Sequence, residues 1–514
     1  MEIIRSGLRQ AFFFSESWLA RVFPASWNPL LNLGALGFFF YWVVAVSGVY
    51  VYIFFDTGVE QAYESIEYMT YEQWYLAGVM RSLHRYASDA LVLVMVLHLA
   101  REFANDRYRG ARWFSWVTGI PVMILVFLAG ITGYWLVWDV LAQYVAEVST
   151  EWLDSLGLFG EPVARNFMAP DALEGRFFTL MIFMHIAVPL LALGLLWLHL
   201  QRIAKPKINP PRGLAFWVFG SMLAMSLIYP AESQGPANLA RVPGEVGLDW
   251  FYLPLFPLLD SLPGPVTWSA AGVLLVIAVA IPWLPPMRRP AIAEVDLANC
   301  NGCTRCFEDC PFNAITMVPR SDGRAFDLEP IVNPANCVSC GICAGSCPTS
   351  MPFRRMSELS PGIDLPDRSI AQLRAATEEA AAGLKGDSRL IVFGCDYGAA
   401  PHLRNQGTGE EDEVALVSLV CVGQLPPAFI DFVLSRDLAD GVVLAGCAEN
   451  GCHARLGLEW TQQRLAGERD PYLRERVPRE RLRCLWLNRI EGKMLRDELA
   501  RFRKDLARIG ADDG

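Results

Sequence analysis

The chain has 514 residues, 53% of them hydrophobic, with 44 basic against 54 acidic side chains and a formal net charge of −10. At roughly 100–200 residues per domain this length calls for several domains, and the composition excludes a disordered chain, a collagen or a small disulfide scaffold. A mean hydropathy of +0.27 is too apolar for an ordinary soluble protein, while the charge count is too high for a pure membrane bundle, so the averages describe two unlike halves. The acidic balance gives no reason to expect a nucleic acid partner.

Crossing a bilayer takes about 20 apolar residues. Residues 28–55, 114–138 and 177–201 carry no charge, and 214–231 and 261–287 are nearly as plain. A sixth span, 76–100, has Arg81, Arg85 and Asp89 in its first half. The segment around Arg5 and Arg9 is too polar and too short for a cleavable signal peptide. Six spans put both ends on one side. The N-terminal segment, the loops 101–112 and 200–213 and the pair Arg288–Arg289 hold 13 Lys and Arg, whereas the opposite loops hold only Arg165 and Arg241. The positive-inside rule then places both termini in the cytoplasm, with the bundle in the inner membrane of a prokaryote among membrane lipid.

Four of the six histidines lie in these spans, as two pairs at the same interval of 14 residues: His84 with His98, and His185 with His199. On a helix 14 residues rise about 21 Å and return to within about 40° of the starting direction. Each helix therefore offers two imidazoles on one face, near the two edges of the hydrocarbon layer. Two such helices side by side make two stacked bis-histidine sites, a geometry for two haems. The alternative is scattered polar residues packed in a bundle, although polar groups at membrane depth lean functional.

Arg81-Ser82-Leu83-His84 and His98-Leu99-Ala100-Arg101 resemble the segments where the cytochrome b family of bc-type complexes binds two haem b groups. The resemblance implies that Arg81 and Arg101 meet haem propionates, as bidentate charge pairing would favour. It implies that Gly34, Gly48, Gly119 and Gly133, also at 14-residue intervals, let flat haem faces approach; simple helix packing by small residues is the alternative. Residues 248–253, Leu-Asp-Trp-Phe-Tyr-Leu, resemble the family's outer quinol segment, with Leu248 in place of a proline and Asp249 in place of a longer glutamate. Val137 stands where the family has another proline. Asp249 is thus either a quinol proton acceptor or an ordinary interfacial carboxylate, and Asp89 is an ion-pair partner for Arg85 four residues earlier. The family also implies a homodimer through this region.

All 13 cysteines lie at or after Cys300. The run Cys300-x2-Cys303-x2-Cys306-x3-Cys310-Pro311 recurs as Cys337-x2-Cys340-x2-Cys343-x3-Cys347-Pro348. This is a two-cluster ferredoxin pattern, in which the fourth cysteine of each run reaches the other cluster. One [4Fe–4S] is expected on Cys300, Cys303, Cys306 and Cys347, the other on Cys337, Cys340, Cys343 and Cys310. Separate zinc quartets would leave each fourth cysteine and its proline without a reason.

Beyond a linker with Pro361, Gly362 and Pro366 and a helical stretch at 369–384, β-type runs at 390–393, 414–422, 441–445 and 482–487 alternate with helical runs at 428–438, 454–465 and 492–509. That alternation predicts a parallel sheet with helices on its faces. Cys395, Cys421 and Cys447 fall at carboxyl ends of predicted strands, the ligand-binding edge of open α/β sheets, and Cys452 follows. Four thiolates converging there suit one [2Fe–2S]; a redox dithiol is the alternative. Cys484, inside a strand, reads as a buried small hydrophobe.

Phe393-Gly394-Cys395, Val420-Cys421-Val422-Gly423 and Ala445-Gly446-Cys447-Ala448-Glu449-Asn450-Gly451-Cys452-His453 resemble the delta subunit of methyl-viologen-reducing hydrogenase, over residues 390–510. Gly398 stands where that family often has a second cysteine, and His453 is expected beside the cluster rather than on it. The resemblance implies a cytoplasmic flavoprotein partner of the heterodisulfide-reductase type.

The fold class expected is an all-α transmembrane bundle of six helices (1–290), a ferredoxin-like 2[4Fe–4S] domain (291–358), a linker (359–388) and an α/β [2Fe–2S] domain (389–514). No Gly-x-Gly-x-x-Gly follows a predicted strand, and no P-loop occurs, so NAD or FAD binding is not expected. The functional expectation is an oxidoreductase subunit passing electrons between the flavoprotein and quinone or quinol, in a direction the sequence leaves open. A docking scaffold with vestigial haems is the other class.

Overall fold

The computed structural model describes residues 2–24, 27–167, 175–201, 208–284, 291–353, 360–403, 413–449, 451–489 and 491–512. Arg202, Lys205, Lys207, Arg288 and Arg289 of the charge comparison, the end of the span 261–287 and Asn450 lie outside the described residues. The chain divides into two units, the first mainly Trp27–Gln201 and Pro206–Met287, the second mainly Arg288–Gly514.

The helices up to residue 280 are α1 (Glu2–Leu19), α2 (Leu33–Phe54), α3 (Gln61–Glu67), α4 (Val79–Ala104), α5 (Trp113–Val137), α6 (Val140–Asp154), α7 (Gly175–Gln201), α8 (Arg212–Ile228), α9 (Phe256–Ser261) and α10 (Gly264–Ala280). Four helical runs among the described residues are long and apolar enough to cross a membrane: α2, α5, α7 and Gly264–Trp283. The two other expected spans differ for separate reasons. α4 has the length, 26 residues, but carries charges, and α8 is apolar yet only 17 residues long. The charges of α4 are turned toward protein, with Arg81 and Arg101 both buried. Trp42, Ile53, Phe183, Leu190 and Leu274 are exposed on α2, α7 and α10, the inverse of a water-soluble bundle.

α2 packs along α4 and α5 along α7, and the apolar cluster built on Leu36, Phe40, Leu83, Leu91, Val126 and Val145 draws on α2, α4, α5 and α6. Pro189 cannot donate to the carbonyl four residues back, which belongs to His185. Tyr41 of α2 donates its hydroxyl to the Pro189 carbonyl at 2.9 Å, tying α2 to α7 there. Asp139 caps α6 by accepting from Ala142 N at 2.8 Å, and its second oxygen takes Gln234 N at 2.9 Å, fixing the loop after α8.

In the second unit, β1 (Glu294–Val295) pairs antiparallel with β4 (Ile363–Asp364), and β2 (Ile315–Pro319) with β3 (Leu328–Val332). Short helices α11 (Arg305–Glu308) and α12 (Ile342–Ser346) lie within the two cysteine runs. The helical stretch expected at 369–384 is present, and a short strand precedes it. β4 closes the small sheet, and α13 (Ile370–Gly383) starts at a capping box of Ser369 and Gln372 and buries Ile370 and Leu373.

The strands β5 (Leu390–Cys395), β6 (Val414–Leu419), β7 (Gly441–Gly446) and β8 (Leu482–Trp486) form one parallel sheet in the order β6-β5-β7-β8. Both faces are covered, so β5 and β7 are buried at every residue and read as continuous apolar runs rather than alternating ones. One face packs Ile391 and Phe393 against α13 and α14 (Ala428–Ser435); the other packs Leu390, Val392 and Val443 against α16 (Gly492–Asp512). α15 (Gly457–Ala466) follows the loop that carries Cys452.

The dicluster region and the sheet domain share a core. Ala344 of α12 belongs to the apolar cluster of Phe393 and Phe429, and Ile342 to that of Val422 and Trp460. Beside it lies a charged clasp. Asp309, between Cys306 and Cys310, is fully buried and accepts from Arg464 at 2.6 Å and from Arg469. The Trp460 indole donates to the Asp309 carbonyl at 3.1 Å, and the Arg469 guanidinium lies 3.5 Å from the centre of the Trp460 ring. A buried carboxylate is tolerated only with such partners, and removing one costs more than the pair contributes. Arg464→Met is expected to destabilise the second unit by about 3–5 kcal/mol; chemical denaturation of the full chain followed by tryptophan fluorescence checks it.

Candidate functional site

The pairing of α2 with α4 and α5 with α7 brings the histidines into facing sets. The His84 and His185 rings stand 6.2 Å apart, centre to centre, with planes inclined at 67°. Metal–imidazole bonds are about 2 Å, so two rings binding one metal from opposite sides have centres about 6 Å apart. The far nitrogens are engaged: His84 Nδ1 lies 3.0 Å from Val44 O and 3.3 Å from Ser47 Oγ, and His185 Nδ1 lies 2.9 Å from Ala129 O and 3.3 Å from Thr132 Oγ1. Bonding Nδ1–H to a backbone carbonyl fixes the tautomer and leaves Nε2 as a free donor atom, the usual arrangement behind a metal-binding histidine. His199 follows the pattern, with Nδ1 3.1 Å from Thr118 Oγ1.

The four glycines each face one imidazole. A side-chain carbon placed on Gly48 would fall 2.8 Å from the His84 ring, and on Gly133, 2.9 Å from that of His185. At Gly34 and Gly119 the nearest atoms are ring carbons of His98 and His199, at 3.5 and 3.4 Å. The glycines expected to admit a flat haem face thus make room first for the histidines themselves. The hydroxyls of Ser47, Thr118 and Thr132 were given no role by spacing alone; their signal is that each stands immediately before one of these glycines.

A cavity of about 730 Å³ opens on the His84 and His185 side of the bundle, within the range of cofactor sites. Arg81 is on its wall, with hydrogen bonds to Thr70 Oγ1 and to Ser233 Oγ at 2.8 Å and Glu67 3.8 Å away. Arg101 is buried in the last turn of α4. Asp249 is also on the cavity wall, where it accepts from the Tyr134 hydroxyl and from Phe251 N at 2.8 Å. Arg85 pairs with Asp89, as expected, and also lies 3.2 Å from Asp249, joining the two carboxylates. Neither Arg85 nor Tyr134 was assigned to Asp249 from sequence, because the contacts span more than 100 residues.

In the second unit twelve of the 13 cysteines fall into three sets of four, with Cys484 apart. One small cavity is lined by Cys310, Cys337, Cys340 and Cys343, and another by Cys300, Cys303, Cys306 and Cys347. Each cavity thus takes one wall from the other cysteine run, as the crossed pattern requires. Burial pushes the Cys306 and Cys340 thiols up to about 12 and the Cys343 thiol well above its usual range. Such thiols stay protonated until iron displaces the proton.

At the carboxyl edge of the sheet, Cys395 ends β5, Cys447 follows β7 and Cys421 lies just past β6. The Cys395 and Cys447 sulfurs are 3.6 Å apart. Hydrogen bonds from Cys421 and Cys447 hold the Cys452 thiol well below its usual range; the bond with Cys452 pushes Cys421 well above it, and bonds with Cys395 and then Cys452 do the same to Cys447. Among the described residues no trio of His, Cys, Asp or Glu side chains is arranged about a single ion position; sets of four thiols suit multi-iron groups instead. A side chain at Gly398 would meet the Gly446 carbonyl at 2.7 Å, which accounts for the missing cysteine. His453 stacks on Tyr397 at 3.6 Å beside this set. Cys484 is partly buried in β8 against the sheet core.

Three family models match the chain: Cytochrome b/b6/petB over residues 19–207, 4Fe-4S dicluster domain over 299–351, and Methyl-viologen-reducing hydrogenase, delta subunit, over 390–510. The first half is 24% identical to cytochrome b of Rickettsia prowazekii (strain Madrid E) over 297 residues, 51% of this chain and 72% of that protein. It is also 24% identical to cytochrome b of Dictyostelium discoideum over 302 residues, 53% of this chain and 75% of the relative. Among solved structures, a chain of a hyperthermophilic respiratory Complex III aligns with a TM-score of 0.41 at 18% identity, over 50% of this chain and 75% of that one.

The chain therefore matches a cytochrome b, a 4Fe-4S dicluster domain and a hydrogenase delta subunit in three successive stretches, in that order. With four helical runs of membrane length, these matches support a multi-pass membrane electron-transfer subunit and imply haem b and iron–sulfur clusters. Gly133→Leu is expected to displace the His185 ring and lower the ratio of haem to protein, whereas Gly194→Leu, at an open position of α7, leaves that ratio unchanged; a pyridine haemochrome assay measures it.

Proposed function

We propose that the protein is the membrane subunit of a quinone-linked oxidoreductase, relaying single electrons between a cytoplasmic flavoprotein and the quinone pool. The observation that carries this reading is the His84–His185 pair, 6.2 Å apart with both Nδ1 atoms engaged, in a chain twelve of whose 13 cysteines form three sets of four. Haem and iron–sulfur groups, when bound, supply one-electron chemistry that no side chain offers.

In this reading His84 and His185 hold the outer haem b, and His98 and His199 the inner one. Arg81 and Arg101 stand at the haem edges to neutralise carboxylates. Gly34, Gly48, Gly119 and Gly133 give the ligating rings their space. Cys300, Cys303, Cys306 and Cys347 hold one [4Fe–4S], Cys337, Cys340, Cys343 and Cys310 the other. Cys395, Cys421, Cys447 and Cys452 hold a [2Fe–2S]. Both termini are cytoplasmic, in the inner membrane of a prokaryote, on the loop-charge asymmetry. The electron entering or leaving at the sheet domain is exchanged with a flavoprotein of the heterodisulfide-reductase type, and the cytochrome b region pairs with a second copy of itself.

Asp249 accepts the proton of a quinol bound in the cavity that it shares with His84 and His185. Its bonds from Phe251 N and the Tyr134 hydroxyl aim the carboxylate, and Arg85 holds it from the side of α4. Asp249→Asn is expected to reduce quinone-linked turnover at least about tenfold while the reduced-minus-oxidised haem spectrum stays unchanged. His98→Ala abolishes quinone-linked turnover if electrons cross the bundle and leaves it intact if the chain is only a docking scaffold; turnover with a quinone analogue in purified membranes distinguishes the two.

A further inference from the structure

The three cysteine sets of the second unit are not equally spaced from one another. Cys421 is followed at once by the turn Val422–Gln424, and this turn packs on α12, which begins two residues after Cys340 and contains Cys343. Ile342 lies between them, wholly buried in one apolar cluster with Cys395, Cys421 and Cys447, while Cys340 and Cys452 pack on the edge of that cluster. Neither dicluster cavity is lined by a residue of the sheet domain, but of the dicluster cysteines only Cys340 packs on the cluster of Cys395, Cys421 and Cys447.

The contact is close because side chains are missing from it. A carbon placed on Gly345 would fall 2.1 Å from the Gly423 carbonyl, and one on Gly457 would fall 2.2 Å from the Cys421 sulfur and 3.3 Å from Ile342. Backbone therefore meets backbone between one cysteine run and the cysteines at the sheet edge. The Asp309–Arg464 clasp, one residue from Cys310, pins the same seam.

We propose that the sheet-edge cysteines and the dicluster domain exchange electrons through the set Cys310, Cys337, Cys340 and Cys343, and that the set Cys300, Cys303, Cys306 and Cys347 is the remote one, with Gly345 and Gly423 as positioning residues. The exchange is the passage of one electron between two centres; no bond forms or breaks and no proton moves. The inference rests on the reading of these sets as one [2Fe–2S] and two [4Fe–4S] sites.

Electron paramagnetic resonance of the dithionite-reduced full-length protein tests it, because a nearby paramagnetic cluster speeds the spin relaxation of the [2Fe–2S] signal. Cys340→Ala is expected to lower the half-saturation power of that signal severalfold, and Cys303→Ala to leave it unchanged. Gly345→Leu removes no ligand; it is expected to slow relaxation at the iron and sulfide content of the parent protein, and it decides the matter where Cys340→Ala fails to fold. Relaxation lost in Cys303→Ala but kept in Cys340→Ala, or unchanged in Gly345→Leu, overturns the order. A parent protein with full iron content and no [2Fe–2S] signal overturns the functional reading, and this inference with it.

Discussion

The distance between the His84 and His185 rings depends on two helix pairs approaching until nothing but hydrogen separates a glycine from an imidazole. Gly48 is the narrowest point of α2 against α4, and Gly133 of α5 against α7. Any side chain at either position would push a ring off its line and take its Nδ1 away from the carbonyl that orients it. The backbone carbonyls of Val44 and Ala129 come from the same two helices that supply the glycines. One element therefore provides both the space and the orientation for a ring carried by its neighbour, so the pair is set by backbone, the least adjustable part of a helix.

In the second unit close approach is secured by charge as well. Asp309 is buried with two arginines on it, and both come from a region more than 150 residues away. A carboxylate so placed contributes little net stability, since desolvation opposes the attraction. What it contributes is a single register: the dicluster region cannot slide along α15 without stranding a charge away from water. Ile342 and Ala344 add apolar contact on the same side, so the seam is closed by packing and aligned by the ion pair.

Local patterns carried much of this architecture. The 14-residue intervals, the doubled cysteine run and the strand–helix alternation are all short-range signals, and the helices and strands fall where they point. The sheet-edge cysteines were legible because strand ends are marked by composition. Contacts between distant segments were not. Arg85 reaching Asp249, Arg464 reaching Asp309 and Tyr397 stacking on His453 depend on how loops return, which no local periodicity encodes. In the segment 359–388 the helix was legible, but the strand among Pro361, Gly362 and Pro366 was not, because those residues look like a connector. In the fold Gly362 passes beside the backbone of Cys300, and the next two residues pair with β1. The span at 76–100 was legible as α4 despite its charges, but composition did not say which way those charges face.

The crossing of the two cysteine runs has a consequence for how this region comes to order. Cys310 walls the cavity otherwise built by the second run, and Cys347 the cavity otherwise built by the first. Neither run can finish its own cavity alone, and the small sheets and the strand at 363–364 must be in place before either fourth wall arrives. The folding of the two runs is therefore coupled, since each supplies a wall to the other's cavity even though the two sites hold separate sets of four cysteines.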